Sequence, residues 1–192
     1  MPAGALGRVS AMDNPVKVRR ARVEDAAEMA RVNVLSWRET YRGVMADSVL
    51  DDPGLPAARE RFWTVALSDE RYRANRVAVA ERDGEVIGIA MAGPPQSPGL
   101  QWGTHLYVLY VVAAAHGTGA GAALLDAVVG PDDSAALWVA DPNPRAQAFY
   151  RKHGFVADGT VNVEDGVREL RMVRLAAADL SSQPPKRGEG TA

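Results

Sequence analysis

Cysteine is absent from the 192 residues, which excludes a disulfide scaffold, a thiolate zinc site and a cysteine nucleophile together. Histidine is scarce: His105, His116 and His153 show no paired ligand spacing, so no metal is expected. Lysine is nearly missing, with three against nineteen arginines, and the net charge is only -2 with both signs interspersed. A basic footprint is therefore lacking, and neither nucleic acid nor an anionic membrane is an expected partner. No apolar run approaches the roughly 18 residues that a spanning helix needs. The opening MPAGALGRVSAMDNP has no apolar stretch of the kind that drives secretion, so the expected compartment is the cytoplasm.

Length allows one domain with tails rather than two domains. Residues 1–14 and 177–192 are rich in Gly, Pro, Ser and Ala without apolar period, and flexible tails are expected on either side of a single domain over 15–176. Within it, Val16 and Val18 mark a first strand, and Ala26, Met29, Ala30, Asn33 and Trp37 recur at helical spacing. A second helix is expected over 56–67. The period then changes to two, and Asp83-Gly84 between apolar runs predicts a hairpin with strands near 77–81 and 86–92. THLYVLYVV is a long strand, HGTGAG leads into a helix over about 118–129, and ALWVA is another strand. Asn143-Pro144 opens a further helix that Gly154 ends, and a closing hairpin turns at Asp165-Gly166. The order β, α, α, β, β, β, α, β, α, β, β implies an α+β fold of mixed α/β layers.

HGTGAGAALL, residues 116–125, joins a strand, a bare glycine turn and a helix start. Unpaired helix amides and the helix dipole make such a junction an anion seat. A P-loop would need a Lys-Ser/Thr pair that is not there. The letters Gly117, Gly119 and Ala122 also suit a dinucleotide fingerprint, with Asp141 about 20 residues on. Its place between two hairpin units does not suit the long parallel sheet such a fingerprint opens.

Together, THLYVLYVVAAAHGTGAGAALLDAV and LWVADPNPRAQAFYRKHGF resemble the GNAT (Gcn5-related N-acetyltransferase) superfamily, whose acyl-CoA motif Q/R-x-x-G-x-G/A is filled here by His116, Gly119 and Gly121. His116 departs from the preferred Gln or Arg, and Ala113–Ala115 from the usual polar or proline-containing turn. The resemblance implies a central mixed, mostly antiparallel sheet flanked by about four helices, with acetyl-CoA as cosubstrate. It implies that the pyrophosphate sits on His116, Gly117, Thr118, Gly119, Ala120, Gly121 and Ala122, and that Leu109, Tyr110 and Val111 bind the pantetheine arm by their main chain. The Leu109 N–H is then placed to polarise the thioester carbonyl. Asn143 is either a helix cap or a pantetheine contact. Tyr150 takes the role of acid, protonating the departing thiolate, or is a core tyrosine.

The general base is left between His105, on the strand face expected to hold Tyr107 and Leu109, Glu39 in SWRETYRG, and water. Trp37, Tyr41 and Trp102-Gly103 are implied as the acceptor wall. The expected activity is acetyl transfer to a primary amine, of a small molecule rather than a protein N-terminus or lysine, by direct attack in a ternary complex. A non-catalytic acyl-CoA sensor on the same fold is the alternative. The expected oligomeric state is monomer or homodimer.

Overall fold

The structure, a computed structural model, describes residues 14–96, 102–164 and 166–176. The expected tails, apart from Asn14, lie outside these residues, as does Asp165 of the last hairpin. Seven strands form one sheet: β1 (Lys17–Arg20), β2 (Arg76–Arg82), β3 (Glu85–Gly93), β4 (Thr104–Val111), β5 (Ala135–Ala140), β6 (Val156–Glu164) and β7 (Val167–Arg174). Their order is β1-β2-β3-β4-β5-β7-β6, and every pairing is antiparallel except β4 with β5. The helices are α1 (Ala26–Tyr41), α2 (Asp47–Leu50), α3 (Leu55–Ser68), α4 (Ala120–Val128) and α5 (Pro144–Lys152).

Sequence signals place most elements to within a residue or two, but α1 runs on through residues 36–40 to Tyr41, so Glu39, expected in a loop after the helix, stands on it. The β2–β3 turn has positive φ at both Asp83 and Gly84, as a tight hairpin needs. Short α2 and the single turns at Val23–Asp25, Glu70–Tyr72 and Ala113–Ala115 were not anticipated, because one helical turn carries too little apolar period to stand out. No helix among the described residues is long and apolar enough to cross a membrane.

Apolar side chains divide between the two sheet faces. Met29, Val32 and Trp63 of α1 and α3 pack on Val77, Val79, Ile89 and Met91. Leu124, Leu125 and Val128 of α4 pack on the other face with Ala90, Leu106, Leu137 and Met172. Gly88 is what lets α4 approach: a Cβ there would lie 2.8 Å from Leu124 Cδ1 and 3.1 Å from the Tyr110 carbonyl oxygen. Gly88→Val should therefore cost about 1–3 kcal/mol through overpacking, read as a lower Tm in a thermal melt.

The feature that makes a site is the parting of β4 from β5. They pair only at Thr104, His105 and Leu106, opposite Ala135, Ala136 and Leu137. Directly after this, Met91 of β3 faces Val108 while Ala92 faces Leu106, so Tyr107 is an extra residue in β4. Such a bulge bends its strand, and from it onward β4 and β5 diverge, leaving a wedge-shaped gap in the middle of the sheet.

Candidate active site

A cleft of about 670 Å³ occupies that gap and runs from the glycine turn, along β4, to the end of α1. On its β4 wall, Val112 donates its N–H to the Ile87 carbonyl of β3 (3.0 Å). Strand alternation then turns the main-chain groups of Leu109 and Val111 into the gap and those of Tyr110 toward β3. Of the three residues expected to offer main chain, two therefore do so, and Tyr110 contributes its side chain. The Val111 carbonyl already accepts a hydrogen bond from His116 Nε2 (2.8 Å).

At the far end lies the glycine turn. Gly117 and Gly119 have φ of +81° and +87°, a region costly for any residue with a Cβ, and Gly119 is the residue that launches α4. Among the described residues no hydrogen bond takes the N–H groups of Gly117, Thr118 or Gly119, and the first amides of α4 point the same way. The Thr118 hydroxyl is not free to help, since it donates to the Ala115 carbonyl (2.8 Å) and its oxygen faces the Ala120 N–H (3.5 Å), so the open amides of α4 are those of Gly121 and Ala122. Gly121 is a different case: its Cβ would meet Phe149 of α5 at 3.4 Å. Gly119 thus answers a backbone demand, whereas a methyl at Gly121 would make only a close contact with Phe149.

Arg145, on the first turn of α5, donates to His116 Nδ1, and both line the cleft beside the turn. Convergent amides with a guanidinium alongside suit a pyrophosphate. His116 thereby ties the turn to both β4 and α5, a role no neighbouring residue type announces in the sequence. Asn143 is a helix cap, its Oδ1 accepting from the Ala146 N–H (3.1 Å), and it also lines the cleft.

Tyr150 of α5 lines the cleft, its ring buried against Phe149 and Phe155. Burial pushes its phenol well above the ordinary range, and nearby Tyr110 adds to the shift, so the proton is held at neutral pH. Across from it, Trp37 Nε1 donates to the Tyr110 hydroxyl (3.0 Å), and Tyr41 shares a hydrogen bond with the same oxygen. Burial raises Tyr41 and Tyr110 too. Glu169, missed in the sequence, acts electrostatically on both these phenols; it sits opposite Ala140, where β5 ends at the wide part of the gap. Only its place in the alternation of VRELRMVRL hints at this.

The proposed bases separate. Glu39 lines the cleft, where its Oε2 accepts from the Ala113 N–H (2.9 Å) and so also fastens α1 to the turn after β4. His105 is not among the cleft-lining residues. It stacks on Tyr107 at 4.7 Å, and burial, with Arg171 adding, lowers its imidazole pKa. The expected shared face with Leu109 fails, because the extra residue at Tyr107 moves Leu109 to the α4 side. Trp102-Gly103 falls at the closed end of the β4–β5 pair, where Trp102 packs on Ala136 and Val173; of the implied acceptor wall, Tyr41 lines the cleft and Trp37 braces it from behind.

Residues 51–176 match the family model of the acetyltransferase (GNAT) domain. The chain belongs to the GNAT acetyltransferase family. It is 29% identical over 175 residues to the N-acetyltransferase YuaI of Bacillus subtilis, covering 87% of this chain and 95% of that one. Among solved structures it is similar to "histone acetyltransferase HPA2 and related acetyltransferase" of Corynebacterium glutamicum, with TM-score 0.64, 23% identity, and 91% and 99% of the two chains covered. It is also similar to PaiA N-acetyltransferase of Thermoplasma acidophilum, solved in complex with coenzyme A, with TM-score 0.62, 17% identity, and 81% and 97% covered. The expected fold of this GNAT acetyltransferase, a mixed and mostly antiparallel sheet flanked by helices, is therefore borne out.

Proposed function

We propose that this GNAT acetyltransferase moves the acetyl group of acetyl-CoA to the primary amine of a small molecule, by direct attack within a ternary complex. The observation that carries the reading is the junction of three things in one cleft: an amide-lined turn, the unpaired main chain of β4, and a buried phenol that keeps its proton. Arg145 and the amides of 117–122 hold the pyrophosphate; His116, expected to touch it, has its main-chain N–H on the Ala113 carbonyl, Nε2 on Val111 and Nδ1 on Arg145, and so positions Arg145 and the turn instead. The Leu109 N–H donates to the acyl oxygen as negative charge develops there, an effect typically worth about 2.7–4 kcal/mol. Tyr150 supplies the proton that the departing sulfur takes. An alkylammonium has a pKa of about 10, so the amine must lose a proton before attack. Glu39 is the carboxylate that lines the cleft, and Glu169, outside its lining, acts electrostatically on the phenols of Tyr41 and Tyr110.

The domain is assigned to 15–176. Incubating the protein with acetyl-CoA and a panel of primary amines tests the reading. Free thiol should appear in an amine-dependent manner, with one acetylated amine formed per thiol. Tight acetyl-CoA binding without thiol release from any amine would instead establish a sensor.

A further inference from the structure

The helices α1 and α3, with the segment joining them, carry several arginines that meet oxygen. Arg31 bonds Glu28 and the Val86 carbonyl, Arg38 the Leu50 carbonyl, and Arg42 both Asp47 and Asp51. Arg59 is different. Among the described residues its guanidinium makes no hydrogen bond or ion pair, and its Nε is fully buried without an acceptor. It meets rings instead, with Cζ 4.7 Å from the centre of Trp37 and 5.7 Å from that of Phe62. Ring faces hold a guanidinium in position, yet they offer its five N–H donors no oxygen.

The place of this group is specific. Trp37, on which Arg59 lies, donates from Nε1 to the Tyr110 hydroxyl, so one indole ring separates the guanidinium from the phenols of the cleft. Tyr110 feels the positive charge, which draws its phenol down against the effect of burial. Glu169 acts on Tyr41 and Tyr110 with the opposite sign, raising both phenols. A cation and a carboxylate thus act on the same phenol, that of Tyr110.

Resting on the acetyl transfer proposed above, we infer that Arg59 receives a carboxylate of the acceptor, and that the substrate class is amines bearing a carboxylate, amino-acid-like zwitterions. A planar guanidinium fork matches a carboxylate in a way no ring contact does. With the carboxylate on Arg59, the ammonium end would lie on the Tyr110 side of Trp37, whose indole N–H already reaches the Tyr110 hydroxyl. An acceptor with positive charge alone would meet repulsion at Arg59.

The test uses the full chain, acetyl-CoA and thiol release. Glycine, β-alanine, 4-aminobutyrate, 6-aminohexanoate and the common α-amino acids are each compared with the matching amine that lacks the carboxylate. At least one zwitterion should exceed its decarboxylated partner by about tenfold or more in kcat/KM. Arg59→Gln should erase that preference through KM, raising KM for the zwitterion and, with the repulsion gone, lowering it for the decarboxylated amine. Arg59→Lys, which keeps the charge but not the planar stack, should retain part of it, whereas a purely structural role would be lost in both variants. A preference unchanged in Arg59→Gln, or turnover of decarboxylated amines alone, overturns the inference while acetyl transfer stands. Absence of thiol release with both series overturns both.

Discussion

Tyr150→Phe is expected to lower kcat by about 10²–10⁴-fold, the range of a lost general acid, while acetyl-CoA binds with nearly unchanged affinity. The side chain's packing predicts this separation. The ring fills a buried place against Phe149 and Phe155, and phenylalanine keeps that volume, so the walls of the cleft should survive. Only the hydroxyl goes, and with it the proton held for the departing sulfur. Because burial raises the phenol far above its usual range, the protonated acid is the form present below that raised pKa. The wild-type rate should accordingly show no alkaline decline from Tyr150 up to pH 9, and any decline there belongs to another group. Steady-state thiol release and calorimetric titration with acetyl-CoA check both parts. A variant with near wild-type kcat would remove Tyr150 from the chemistry and return it to the core.

Much of this site was legible in the sequence where one local rule governs one local structure. Asp83-Gly84 specified its hairpin, Asn143-Pro144 its helix start, and the glycines of HGTGAG the entry to α4. Each is a short-range demand on backbone dihedrals, readable from residue type. The cleft itself was not legible, because it depends on a bulge. An extra residue at Tyr107 leaves no mark in THLYVLYVV, whose apolar character continues through it, yet it decides where β4 and β5 part and which face Leu109 takes. The placement of His105 beside Leu109 failed at that step. Glu169 and Arg59 were missed for a related reason: their relation to Tyr110 runs through β7 and α3, elements distant in sequence, and no spacing rule connects them. Glu39 was noticed for its carboxylate, but its hold on the Ala113 N–H spans 74 residues and is a tertiary fact.

The glycine turn offers the other large effect, and it separates two glycines that look alike in the motif. Gly119 has φ +87° with nothing within 4 Å of a Cβ position, so what forbids a side chain there is dihedral strain alone. Valine, branched at Cβ, tolerates that region worst, and strain of about 1–3 kcal/mol is released by turning the residue out of the left-handed region. Doing so swings the Gly119 amide and the first turn of α4 away from the point where the amides of 117–122 converge. Gly119→Val should therefore weaken acetyl-CoA binding by about tenfold to a hundredfold, the equivalent of that strain in affinity, in a protein that still melts cooperatively. Gly121→Ala makes the contrast. Its φ is not in the left-handed region, and the new methyl would touch Phe149 at 3.4 Å, a contact that a small shift of the ring relieves, so affinity should fall far less. Calorimetry on both variants, with melting curves to establish the fold, measures the difference. Undiminished affinity in a folded Gly119→Val would place the pyrophosphate elsewhere. Equal losses at the two positions would mean that the space above the turn, rather than the direction of its amides, is what binding requires.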